Sequence, residues 1–439
     1  MEEAPLLLLF LLYKLRAFPV ASLVCSQGEN GPSLSDCYIR GGTRDSEAAR
    51  EEASVLRVAL FTSFSPETGG GAAQLRSHLE YLSGLEITWY YLAKGPAASH
   101  QVGAKWLGEN FTPSELLRDL SARAGFLPGS KDRACRLAEQ MEADLYWVVG
   151  HYEGLSVAAE LRAQGKPVHL TIHDDPFGTW IRSERYRAFR PLLSCIYAKL
   201  LHAVNSIDVT SWSMRNRYRQ KYGVKCFSVY LHVPKLPQLD VAPRDQSRIT
   251  VGHIGTLYQA EPFRRFIASC RHIASDEKRA LRIVRIGSSP EIDMCTADDP
   301  TLYEAHGDLS EQAAVPLLAS CDFLYAMYPP GKKYELFRRT SLPIKLSTYV
   351  QAQRPIFAHA PPDSTLARAV GPYGVGRVCE SQDQAEIGKQ IKEVLKMPVS
   401  RDRFELLRSE LMGFDQVQQL GAALRGQDGS GFVEYDFRS

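Results

Sequence analysis

From residue 55 onward the apolar positions follow two alternating rhythms: short unbroken runs, and stretches spaced by three and four. Residues 55–62, 86–92, 144–149 and 167–172 are apolar runs of the kind found in strands covered on both faces. Residues 73–82 and 154–164 have helical spacing, and Thr112-Pro113-Ser114-Glu115 is a capping box with proline in the first helical turn, predicting a helix to about residue 124. Residues 187–203 and 206–221 predict two more helices, and 227–231 a strand. Strands alternating with helices of about a dozen residues imply a parallel, doubly wound sheet, whose ligands bind beyond the carboxyl ends of the strands.

Prolines at 234, 237 and 243 interrupt the pattern, so residues 234–247 read as a linker. A second alternating series follows, with strands at 249–254, 281–286 and 322–327 and helices at 262–273, 309–319 and 383–395. The predicted fold class is therefore α/β, with one doubly wound domain over 54–233, another over 248–400, and a last helix at 401–412 within a C-terminal segment ending at 439. Two such sheets enclose an interdomain cleft, where small ligands bind.

The most strongly patterned stretch is 339–358. Leu342, Leu346, Tyr349 and Val350 share one helical face, Pro343 sits in the first turn where a missing N–H costs nothing, and Arg354-Pro355 ends the helix before a buried strand. Thr340, Ser341 and Lys345 thus lie near the positive end of a helix, where an anion can be held; a capped helix with a solvated lysine is the plain alternative.

Three other places carry candidate chemistry. Residues 63–72 link the first strand to its helix through Gly69, Gly70 and Gly71, which reads either as a tight turn or as backbone that approaches a ligand closely. His173-Asp174-Asp175-Pro176 follows a strand, so the imidazole can hydrogen-bond a phosphate or hydroxyl while Asp174 or Asp175 orients it or accepts a proton; an Asp-Pro surface turn is the other reading, and His151 is secondary at the same edge. Lys332, Lys333, Arg338 and Arg339 crowd a segment that reads as a loop, movable at Gly331, and is either solvated or a site for a diphosphate or anionic acceptor.

Composition narrows the partners. Lys and Arg total 52 against 50 Asp and Glu, a net charge of +2, so any basic site is local and a nucleic-acid partner is not expected. Arg215, Arg217, Arg219 and Lys221 give one helix a basic face, solvated or in contact with a membrane surface. Nine scattered cysteines without a Cys-x-x-Cys pair read as reduced, mostly buried thiols of a cytoplasmic protein, with no metal site. Residues 1–53 read as a weakly packed extension: the apolar run at 6–12 is too short to span a bilayer and follows Glu2 and Glu3, the wrong charge for a secretory leader.

With Gly255-Thr256-Leu257, His173-Asp174-Asp175-Pro176 and above all Pro343-x-Lys345-Leu346-Ser347-Thr348-Tyr349 followed by Gln353-Arg354-Pro355-Ile356-Phe357, the chain resembles the nucleotide-sugar glycosyltransferases of family 4, over roughly residues 54–400. The resemblance implies a twin-Rossmann (GT-B) fold and retaining, metal-independent transfer of a sugar from a nucleotide diphosphate to a glycan, lipid-linked or small-molecule hydroxyl, with no cofactor beyond the sugar nucleotide. It implies catalytic roles for His173 and Asp174. Gly70 and Gly71 would approach the substrates, Gly255 and Thr256 would bound the diphosphate, and Lys345 would be its electrostatic partner, helped by Arg264 or Arg265. Thr340, Ser341, Leu346 and Thr348 complete the expected donor-binding set. The family's two glutamates, with seven residues between them, are here Thr340 and Thr348. A neutral hydroxyl bonds about half as strongly as a carboxylate, so either Glu335 or Glu380 assists, or the chain binds without turnover.

Overall fold

A computed structural model describes residues 55–67, 69–97, 103–116, 119, 133–239 and 245–427. The expected N-terminal extension lies outside the described residues, as do most of the helix opened at Thr112 and the tail from 428. The capping box itself is present: the Thr112 N–H donates to Glu115 Oε2 at 2.7 Å and the Glu115 N–H to Thr112 Oγ1 at 3.3 Å.

The first sheet contains β1 (Leu56–Thr62), β2 (Leu85–Leu92), β3 (Ala104–Gly108), β4 (Leu145–Val149), β5 (Val168–Ile172), β6 (Ser206–Val209) and β7 (Phe227–Ser228). They lie in the order β3-β2-β1-β4-β5-β6-β7, every pair parallel. The connecting helices are α1 (Gly70–Leu79), α2 (Arg133–Glu139), α3 (Glu153–Ala163), α4 (Arg190–Ala203) and α5 (Trp212–Tyr222).

The second sheet contains β8 (Arg248–Ile254), β9 (Ala280–Ile286), β10 (Tyr303–His306), β11 (Phe323–Met327), β12 (Ile356–His359) and β13 (Gly376–Cys379), in the all-parallel order β10-β9-β8-β11-β12-β13. Its helices are α6 (Ala260–Asp276), α7 (Pro290–Asp298), α8 (Glu311–Ala319), α9 (Glu335–Thr340), α10 (Lys345–Ala352), α11 (Thr365–Val370) and α12 (Gln384–Leu395). Two more, α13 (Arg401–Leu411) and α14 (Phe414–Leu424), close the described chain. Strand order reverses between β1 and β4 and again between β8 and β11, which puts the ligand-binding crevice of each sheet beside the ends of those strands.

Some elements differ from the pattern-based expectation. The helix expected at 206–221 is the strand β6 followed by α5, because Asp208, although polar, is an inward position: it is 1% exposed and meets the ring of His169 on β5 at 2.8 Å. The loop expected at 332–339 is a 3-10 turn, Lys332–Tyr334, leading into α9. Regular helix begins at Lys345 rather than Pro343, after Leu346 and Ser347 have donated their N–H groups to Pro343 and Ile344.

The predicted apolar face of α10 is in place: Leu346, Tyr349 and Val350 are fully buried among Leu324, Ile356 and Ala358. Truncating such a leucine typically costs about 2–5 kcal/mol. The C-terminal segment holds a second helix that the periodicity did not reveal. α13 packs on the second sheet through Phe404 and Leu407, whereas Val417, Leu420 and Leu424 of α14 pack with Val58, Leu60 and Trp89 of the first. The chain end thus ties the two sheets together. Of the described cysteines, Cys226, Cys270, Cys295, Cys321 and Cys379 are buried, and none is in a disulfide. Among the described residues no helix is long and apolar enough to cross a membrane.

Candidate active site at the facing sheet edges

The first half of the site forms where β1, β4 and β5 end. Asp175, 2% exposed, takes the Phe177 N–H at 2.8 Å and thereby fixes the turn after β5. That turn sets the His173 ring 6.2 Å from Phe64 and directly under the glycine loop. A Cβ on Gly71 would stand 2.9 Å from His173 Nδ1 and 3.0 Å from Phe64, so only glycine lets the loop lie this close. His173 Nε2 is buried and lacks a hydrogen-bond partner. Burial pushes this histidine down to about 4, so at neutral pH it is an uncharged imidazole with one nitrogen unpaired.

His151 sits beside it, also pushed down to about 4 by burial. Its neighbour Tyr152 has a left-handed backbone (φ 45°), unusual for an aromatic residue, and stacks at 5.2 Å on Trp180. Neither aromatic stood out along the chain. The only trace of them was that Tyr152 comes three residues after a buried strand ends.

The second half forms where β8 ends. Gly255 turns with φ 72°, and the Lys345 ammonium reaches back to donate to the Thr256 carbonyl at 2.6 Å. Burial pushes Lys345 from 10.5 down to about 7. Ile344, immediately before it, meets Gly70 across the cleft so closely that a Cβ on that glycine would stand 3.1 Å from the Ile344 side chain. Ser341 Oγ donates to Asp174 Oδ1 at 2.5 Å, and Tyr230 Oη donates to the Pro343 carbonyl at 2.7 Å. Gly70, Gly71, His173, Asp174, Ser341, Lys345, Gly255 and Thr256, dispersed in sequence, are thereby brought to one seam between the sheets.

Five residues expected on the donor side lie elsewhere or point inward. Arg264 pairs with Asp298 at 2.8 Å on the flank of α6, and neighbouring Arg265 pairs with Glu261 at 3.0 Å, so neither joins Lys345. Leu346 is wholly buried and its N–H is spent on Pro343. Thr340 turns its hydroxyl onto the Leu336 carbonyl at 2.6 Å. Thr348 donates to Glu311 Oε1 at 3.1 Å, and Ser347 donates to the same oxygen at 3.2 Å. A carboxylate thus stands beside Thr348 after all, supplied by the first turn of α8. In the sequence Glu311 was only a first-turn acid of a predicted helix, with nothing to tie it to Thr348.

Acid is expected to weaken this edge first. The folded-state values of His151 and His173, about 4, and of His253, about 3, lie below the ordinary 6.5, so the unfolded chain binds more protons between those limits. Stability is full above pH 6.5 and falls as pH drops towards 4, by on the order of 1.4 kcal/mol per unit for each group. Urea midpoints should fall between pH 6.5 and 4.5; a flat profile would mean that these rings are not held neutral.

The chain matches no known family profile, and no curated protein matches its sequence. Solved structures do match it along most of its length. An α,α-trehalose-phosphate synthase (UDP-forming) from Burkholderia vietnamiensis aligns with a TM-score of 0.54 at 15% identity, over 84% of this chain and 98% of its own. A Listeria monocytogenes protein assigned as a UDP-N-acetylglucosamine 2-epimerase gives 0.54 at 12% identity, over 87% and 99%. The glycotransferase of kitacinnamycin gives 0.52 at 12%, over 85% and 100%. At such identities the likeness concerns architecture. Two all-parallel sheets wound in this way, matched end to end by these structures, give the chain the twin-Rossmann, GT-B fold.

Proposed function

We propose that this protein is a retaining glycosyltransferase that moves a sugar from a nucleotide diphosphate to a hydroxyl acceptor, with the leaving diphosphate neutralised by protein groups rather than by a metal ion. The observation that carries the reading is Lys345. Its ammonium is aimed at the Gly255-Thr256 turn, next to the Gly70 contact, and burial pushes it down to about 7. A desolvated cation with a depressed value is costly to hold empty and gains strongly from an arriving anion.

In the step itself the C1–O bond to the diphosphate breaks, the leaving group keeps the electron pair, and the acceptor oxygen bonds to C1 as its proton departs. His173, at about 4, is a weaker base than a phosphate with a second pKa near 6, so the proton goes to the departing phosphate and His173 Nε2 serves as a hydrogen-bond partner of the sugar or acceptor. Asp174, bonded to Ser341, holds the two halves in register. Tyr152 stacked on Trp180 offers an apolar face to an acceptor ring.

The test is calorimetric titration with UDP and GDP, repeated in buffers of different ionisation enthalpy, together with a sugar-nucleotide hydrolysis assay. One diphosphate is expected to bind with proton uptake of about half a proton near pH 7 as Lys345 becomes fully charged, and His173→Ala is expected to cost at least about tenfold in turnover while folding normally. Absence of binding by both diphosphates defeats the reading. Binding without turnover would favour the second reading, a non-catalytic nucleotide- or glycan-binding protein of the same fold. The inward turn of the Thr340 hydroxyl speaks for that alternative.

A further inference from the structure

A second opening between the halves lies away from Lys345. It is a groove of about 730 Å³ between α5 of the first sheet and α9 of the second, with Arg368 of α11 also on its wall. That volume is ample for a small-molecule ligand. It joins two basic stretches that are far apart in sequence, because Arg217 enters from α5 while Lys332 and Arg339 enter from the turn and helix opposite. Among the described residues Glu335 is the one acid lining it.

The cations are not equally committed. Arg339 bonds Glu335 at 2.7 Å, and Arg217 stands 3.9 Å from the buried Asp175. Lys332 and Arg368 are exposed and have no carboxylate within ion-pair distance among the described residues. Arg338, next in the chain, is different again: it grips Asp363 with two hydrogen bonds, at 2.8 and 3.0 Å, and so keeps this wall in shape. Cations therefore stand on both walls, two of them unneutralised, in a chain whose net charge is only +2. Ser213 and Gln220 line the α5 wall between them, offering hydroxyl and amide groups.

We infer that this groove is a binding site for a phosphorylated, hydroxyl-rich ligand with an anionic group at each end, one held by Arg217 and the other by Lys332 and Arg368. Arginine forks match phosphate oxygens two at a time, and lysine adds a point charge. The hydroxyls of the ligand meet Ser213 and Gln220. A ligand seated here bridges the two sheets, so its occupancy bears on how the halves close. The inference does not depend on sugar transfer. Such a ligand can be a soluble sugar phosphate or the headgroup of a phosphorylated lipid, and the experiment separates the two.

The full chain is titrated with fructose 1,6-bisphosphate at low and at physiological salt, and is sedimented with neutral vesicles and with vesicles containing phosphatidylinositol 4-phosphate. Wild type is expected to bind the bisphosphate, more weakly as salt rises. Arg368→Glu should weaken binding at least tenfold, and the double change with Lys332→Glu should abolish it. UDP affinity in Arg368→Glu should stay at the wild-type value, which also shows that the variant folds. If only the phosphoinositide vesicles bind, and the double variant is released from them, the same site is established with a lipid headgroup as its source. The inference is overturned if neither probe binds, or if both variants bind the probes as wild type does, whatever the outcome for UDP and turnover.

Discussion

Replacing Lys345 with methionine is expected to abolish sugar transfer and at the same time raise the melting temperature near pH 6. The opposite signs have one cause. Below about pH 7 the folded protein keeps a charged ammonium where burial disfavours it, whereas the unfolded chain holds the same proton freely up to 10.5. Between those limits the unfolded state binds more protons, so the stability of the wild type rises with pH through that window. Methionine removes the cost, so the gap between variant and wild type should be widest at pH 6 and close as pH approaches 10.5. Catalysis moves the other way, because the cation is best placed to meet charge that develops on the departing diphosphate; losing one such donor typically costs about 10²–10³ in turnover. Paired thermal melts and initial rates across pH 6 to 9 measure both. A variant that melts lower and transfers normally would make Lys345 a structural residue and remove the basis of the proposed function.

Gly154→Ala is expected to do large harm to the fold. Gly154 lies in the first turn of α3, and a Cβ there would fall 1.9 Å from the Val149 carbonyl oxygen and 3.0 Å from its carbon. Both atoms are backbone, so no rotamer change relieves the clash: the helix must lift off the end of β4. Overpacking costs of this kind run to about 3 kcal/mol. The damage would extend to the site, since His151 and Tyr152 form the link between β4 and α3. Gly388→Ala is the natural control. It lies within α12, where a Cβ would meet nothing inside 4 Å, so alanine should stabilise by about 0.5–1 kcal/mol. Equilibrium urea unfolding of both variants compares them directly; equal stabilities would show that the close approach at Gly154 relaxes without cost.

Much of the architecture was legible along the chain. Apolar runs alternating with helical spacing pointed to two parallel α/β sheets, because a strand covered by helices on both faces has to be apolar at nearly every position. The stretch from Leu346 to Phe357 was readable for the same reason, and the ends of β1, β5 and β8 could be marked as candidate edges from topology alone. Some strands escaped notice. β6, β10 and β13 span four residues each, too short for a period to emerge, and β6 turns the polar Asp208 inward.

Tertiary structure alone decided which partners meet. Local pattern shows which face of an element is buried, but says nothing of what it is buried against. The bond between Ser341 and Asp174, the reach of Lys345 to Thr256, and the arrival of Glu311 beside Thr348 all join residues that no spacing relates. The diversion of Arg264 to Asp298 and the return of α14 to the first sheet have the same origin. Such pairings follow from how two finished sheets pack together, and that is set by the shape and charge of whole surfaces rather than by the order of residues within any one element.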